Sequence, residues 1–118
     1  MQNYRISVTQ TFTFHAAHVL PWHPGKCARL HGHSYRIEVR VEGPLDANGI
    51  VIDFDDVGTT VQTHIIEPLD HTLLNDTLPN PTAELLGIHI MDAAEKRGLI
   101  LAEVRVWETT ESAAVISR

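Results

Sequence analysis

Five of the chain's eight histidines, His15, His18, His23, His31 and His33, fall within nineteen positions. Imidazole is a proton carrier near neutral pH and a common metal ligand, so the cluster points to metal chemistry. In His31-Gly32-His33 the rings are two residues apart. On an extended backbone both leave by one face, and Gly32 puts no side chain on the other. A catalytic zinc takes three protein ligands and keeps one position open. The segment His15-Ala16-Ala17-His18 supplies the third. Parity selects between its two histidines. His33 shares parity with Tyr35, Ile37 and Val39. His18 shares parity with Phe12 and Phe14 if its strand runs that far, and His15 falls on the opposite side. The expected ligands are therefore His18, His31 and His33. His23 belongs to a polar loop, His64 and His89 to helical segments, and none of the three is assigned a role.

Three further groups could work beside such a metal. Cys27 lies four residues before His31, between Lys26 and Arg29. It reads as a small buried hydrophobe, as a thiolate base or nucleophile favoured by nearby cations, or as a fourth ligand that would make the site structural. Asp70-His71 reads as a carboxylate orienting an imidazole for proton transfer, or as a polar turn. Glu108 shares parity with Val104 and Val106. A carboxylate closing a row of buried valines needs a partner, which the N–H donors of a bound ligand would supply. Otherwise it is the solvated end of a strand.

The elements that must position these groups are legible in the hydropathy pattern. Residues 4–14 alternate, with Tyr4, Ile6, Val8, Phe12 and Phe14 on one side and Gln10 as the single break, which predicts a strand. Residues 19–30, with Pro21, Pro24 and Gly25, read as a loop. Residues 33–42 alternate more cleanly and predict a second strand. Residues 43–49 are turn chemistry, and residues 50–52 a short extension of strand. Asp53, Asp55 and Asp56 offer caps for a helix running through Val57, Val61 and Ile65 to Pro68. A second helix is expected with Asn80 as cap, Pro81 at its first position, a stripe of Leu86, Ile90, Ala93 and Ala94, and an end at Gly98. Residues 100–108 and 113–117 predict two more strands. The expected fold is α+β, in β-β-α-α-β-β order. Two helices would cover one face of a four-stranded antiparallel sheet.

The totals narrow the function classes. A chain of 118 residues suits one domain, here 1–118. Nine basic and fifteen acidic residues give a net charge of −6, which argues against a nucleic-acid or membrane surface but not against a small anion. No apolar run approaches the roughly 20 residues that span a bilayer. The start carries no basic-then-apolar leader, and a single cysteine fits a reducing compartment. A cytoplasmic location is expected.

Taken together, these residues resemble the 6-pyruvoyltetrahydropterin and 6-carboxytetrahydropterin synthase family. The resemblance covers nearly the whole chain: Phe12-Thr13-Phe14-His15-Ala16-Ala17-His18, Cys27-Ala28-Arg29-Leu30-His31-Gly32-His33-Ser34, Ile52-Asp53-Phe54, Leu69-Asp70-His71 with Leu74-Asn75-Asp76, Asn80-Pro81-Thr82-Ala83-Glu84, and Trp107-Glu108-Thr109. The Cys27–Ser34 segment is most similar to the bacterial 6-carboxy enzymes of queuosine-type 7-deazaguanine synthesis. The resemblance implies the tunnelling fold, with subunit sheets joined into a barrel, typically as a hexamer of two stacked trimers. It implies zinc on His18, His31 and His33. The implied substrate is 7,8-dihydroneopterin triphosphate, from which the carboxy branch releases triphosphate and acetaldehyde. Cys27 would be the base, Asp70 and His71 the relay, and Glu108 the pterin anchor, assisted by backbone around Thr82. Lys26 and Arg29 would contact the triphosphate. Two departures stand out: Trp107 replaces the basic residue that many relatives carry before the glutamate, and the segment after Ser112 is short. The retained Cys27 separates the chain from aldolase-like relatives with glutamate there. The rival readings are elimination only, to the pyruvoyl product; a non-catalytic zinc or pterin-binding module; and the same chemistry in a specialised deazapurine pathway.

Overall fold

The computed structural model describes residues 3–118. In chain order the elements are β1 (Ser7–His18), β2 (His31–Glu42), α1 (Phe54–Val61), α2 (Glu67–Leu69), β3 (Thr72–Leu73), α3 (Ala83–Lys96), β4 (Glu103–Trp107) and β5 (Ala113–Ser117). A π-helical segment, Gln62–Ile66, joins α1 to α2, so the helix runs through Pro68 and ends at Leu69, one residue past the expected end. Asp53 caps α1 by accepting from the Asp55 N–H.

The two alternating segments form an antiparallel hairpin paired along its whole length, from Ser7 opposite Glu42 to His18 opposite His31. Both strands reach further toward the histidines than alternation alone indicates. β4 pairs with β2, and β5 with β4, both antiparallel. The expectation of four antiparallel strands is corrected. Among the described residues the sheet has five strands in the order β3-β1-β2-β4-β5, and β3 runs parallel to β1 at Ala16 and Ala17. Residues 50–52 form no strand. The Asp46 carboxylate accepts from the Asn48 and Ile50 N–H groups and turns the chain, and Val51 and Ile52 pack on the core.

Both long helices cover one face, as expected. Phe14, Tyr35, Ile37, Val39, Val104 and Val106 point inward and meet Val57, Val61, Ile65, Leu86, Ile90 and Ala94. Gly87 lets α3 approach closely, because a Cβ there would overlap the Ile116 side chain. The second helix starts later than Asn80-Pro81 suggested: Thr82 is the cap, accepting from the Leu85 N–H. β4 also begins at Glu103, three residues after the expected start. The other sheet face carries Thr9, Thr11, Thr13, Arg36, Glu38 and Arg105, and is uncovered. Among the described residues, no helix is long and apolar enough to cross a membrane.

Candidate active site

β1 and β2 place His18 and His31 side by side at the end of their ladder, with His33 one inward position further along β2. Their ligand atoms lie within 4.8 Å of one another and could hold a metal ion. His18, chosen by parity over His15, is fully buried. His15 points to the uncovered face, where its Nδ1 meets the Ser34 Oγ at 2.9 Å.

Backbone carbonyls fix two of the tautomers. His18 Nδ1 donates to the Pro81 carbonyl at 2.8 Å, and His31 Nδ1 to the Arg29 carbonyl at 2.7 Å. A carbonyl only accepts, so each neutral ring carries its proton on Nδ1 and a bare lone pair on Nε2. Those two Nε2 atoms face each other at 2.9 Å. Facing lone pairs repel unless a cation shares them. His33 Nε2 is buried with no hydrogen-bond partner. Burial lowers the His33 pKa below the usual histidine value; Glu108 opposes this, and His18 and His31 add to it. The donor set therefore fits a divalent metal, with outer-shell carbonyls orienting the ligands.

Glu108 follows β4 and turns its carboxylate to the same centre. Its Oε1 lies 3.4 Å from His18 Nε2 and 3.5 Å from His33 Nε2. It is part of the site rather than a frayed strand end. It also borders a groove of about 300 Å³ with Glu84, Ala83 and Ser112. Buried Tyr35 has its OH 3.4 Å from His18 Nδ1, and burial raises its pKa.

Cys27 sits half-buried in a 3-10 turn, Lys26–Ala28, of the loop that joins the two ligand strands. It does not join the group of metal-ligating atoms among the described residues. Lys26 and Arg29 are exposed on the same loop.

Asp70 and His71 are in contact, and they lie elsewhere. Asp70 Oδ2 meets His71 Nδ1 at 2.9 Å. The other oxygen, Oδ1, accepts the His15 N–H at 2.9 Å, and the His71 N–H donates to the His15 carbonyl. These bonds hold His71 at a positive φ of 59°, rare for a side-chain-bearing residue. The His15 hydrogen bond, more than that of His71, holds the Asp70 pKa below its usual value. The pair stands at the outer edge of β1, and His71 is 76% exposed. It opens, with His15, Ser34 and Leu30, on a cavity of about 630 Å³. The His71 ring lies 5.9 Å from the His15 ring on the uncovered face, away from the face to which His18 points, while His33 lines the same cavity as His71.

Sequence reasoning missed the Pro81 and Arg29 carbonyls, Ser34 and the Asn75 side chain that grips Val19. Backbone acceptors carry no residue-type signal.

Residues 7–118 match the family model for 6-pyruvoyl tetrahydropterin synthase. The chain belongs to that family. It is 39% identical to the 6-carboxy-5,6,7,8-tetrahydropterin synthase of Synechocystis, over 91% of this chain and 89% of the relative. It is 30% identical to the enzyme of that name from Haemophilus influenzae, over 89% and 94%. The fold matches 6-pyruvoyl tetrahydropterin synthase of Caenorhabditis elegans with a TM-score of 0.85, covering 98% of this chain and 96% of that one at 21% identity. The 6-pyruvoyl tetrahydropterin synthase family therefore supplies both the fold and the tetrahydropterin synthase class.

Proposed function

We propose that this chain is a zinc-dependent 6-carboxy-5,6,7,8-tetrahydropterin synthase. It would convert 7,8-dihydroneopterin triphosphate to 6-carboxytetrahydropterin, acetaldehyde and triphosphate, in cytoplasmic 7-deazaguanine synthesis of the queuosine type. One observation carries the reading: three histidines converge on one centre, two of them with tautomers fixed by backbone carbonyls, and Glu108 lies within 3.5 Å of His18 and His33. Relatives at 30% and 39% identity bear the carboxy name.

In this reading His18, His31 and His33 hold the zinc, which would supply a Lewis acid for the substrate's side-chain hydroxyls. Cys27 takes the proton from the substrate side chain, and Asp70 with His71 relays it. Glu108 accepts the N–H groups of the pterin's amino-pyrimidine edge, beside backbone around Thr82. Lys26 and Arg29 meet the triphosphate. A relay on the sheet face away from His18 serves the centre of a second copy. β5 has a free outer edge, and β3 covers β1 only at Ala16 and Ala17. Free edges favour pairing between copies, which supports closure into a barrel, as a hexamer of two stacked trimers.

The test is incubation of zinc-loaded protein with 7,8-dihydroneopterin triphosphate and identification of the products. Acetaldehyde with the 6-carboxy pterin is the expected result. The pyruvoyl product without acetaldehyde would assign elimination only. A pterin bound and recovered unchanged would assign a binding module.

A further inference from the structure

The loop between His18 and His31 carries Cys27 and is braced at three points. At its base, Asn75 grips Val19, with Oδ1 accepting the Val19 N–H and Nδ2 donating to the Val19 carbonyl, both at 2.9 Å. Across the loop, the Leu20 N–H donates to the Cys27 carbonyl at 3.0 Å. At its tip, Trp22 Nε1 donates to Asn80 Oδ1 at 2.7 Å. Asn80 directly precedes Pro81, whose carbonyl orients the His18 ring.

Inside these braces the loop is stiff. The His23 N–H bonds to the Leu20 carbonyl, the Gly25 N–H to His23 Nδ1, and the Ala28 and Arg29 N–H groups to the carbonyls of Gly25 and Lys26. Pro21 and Pro24 fix two more φ angles. A stiff loop moves as a body, so a tether at its tip sets the position of Cys27. Trp22 is 59% exposed, so its ring is held by little burial. The indole N–H is its anchor, and 2.7 Å is short for an N–H···O bond.

We propose that Trp22 is a positioning residue, latched on Asn80, that holds in place the Cys27 loop between the two ligand strands. The inference rests on the proposed role of Cys27 as proton acceptor. Loss of the latch lets the loop open locally while the core stays folded.

The experiment measures alkylation of Cys27, the only cysteine, by iodoacetamide in folded, zinc-loaded protein. Trp22→Phe keeps a ring and removes the donor; Asn80→Ala removes the acceptor. Each is expected to speed alkylation about fivefold, the fold-change that loss of one net hydrogen bond gives. The double variant should be no faster than either single, because both remove one bond. Asn80→Asp keeps an acceptor oxygen and should react at the wild-type rate. Zinc content and melting temperature should hold, while kcat of Trp22→Phe falls. Wild-type alkylation in Trp22→Phe overturns the latch. So does multiplication of the two effects in the double variant, failure of Asn80→Asp to restore protection, or alkylation that rises in step with lost melting temperature. An absence of pterin turnover in the wild type would sink the proposed function instead, and the alkylation series would still decide the latch.

Discussion

The Nε2 atoms of His18 and His31 face each other at 2.9 Å while both Nδ1 atoms donate to backbone carbonyls. The two carbonyls come from different places: Arg29 precedes its own ligand strand, and Pro81 leads into the cap of α3. The long β1–β2 register brings the rings together, and the helix start fixes one of them. Folding thus assembles two lone pairs that are unfavourable alone and favourable around a cation. Metal binding and folding are coupled in such an arrangement.

Ligand loss and loss of the proposed base should separate. His18→Ala and His31→Ala are expected to weaken zinc binding by at least about a hundredfold, more than loss of an outer-shell partner costs. Cys27→Ala should keep zinc and lose turnover. Metal content of the purified variants, read beside product formation, checks this. Zinc lost from Cys27→Ala but kept by His18→Ala would make the ligand assignment wrong.

The centre was more legible in the sequence than its supports. Alternation in β1 and β2 gave the parity that separates buried His18 from outward His15. It could not give β3, where two residues offer no period and pairing follows from contacts of His15 with Asp70 and His71. Asn80 and Pro81 place the start of α3 too early for a physical reason. Asn80 has a good capping side chain, but Trp22 occupies it, and the Pro81 carbonyl serves His18, so capping falls to Thr82. Adjacency in sequence leaves open whether Asp70 and His71 touch; the structure brings them together at 2.9 Å, on a side of the sheet that only tertiary pairing decides.

Asp70 should tie stability to acid. Its folded pKa is depressed, first by the His15 backbone N–H and then by His71, so its contribution is present above the unfolded value of 3.8. That contribution fades as pH falls through the lower folded value. Asp70→Asn should therefore be less stable than wild type at neutral pH, and the two should converge in strong acid. Urea midpoints across an acid series measure this. A gap unchanged by pH would show that the carboxylate charge is not what His15 recognises.

Gly87 should be intolerant despite its helical position. Alanine is ordinarily better than glycine there by about 1 kcal/mol. The added Cβ would overlap Ile116, with Val106 close behind. Overpacking costs about 1–3 kcal/mol, so Gly87→Ala is expected to lower the melting temperature. Adding Ile116→Ala should recover part of the loss. A Gly87→Ala protein that melts higher than wild type would mean that α3 can back away from the sheet.

The placement of His71 on the sheet face away from His18 makes a prediction about mixed assemblies. If one copy's Asp70–His71 pair serves another copy's centre, a site needs intact residues from two chains. His31→Ala removes the centre of its own chain and leaves its relay. His71→Ala removes the relay and leaves its centre. Each homogeneous variant should be inactive. Unfolding and refolding the two together should restore activity wherever a His31→Ala chain offers its relay to a His71→Ala centre. With equal mixing in a ring, about a quarter of all sites pair correctly, by the independence of the two positions. The check is activity of the refolded mixture against each variant refolded alone. A mixture as inactive as its components, in assemblies shown to contain both chains, would place the whole reaction within one copy and reject the shared site.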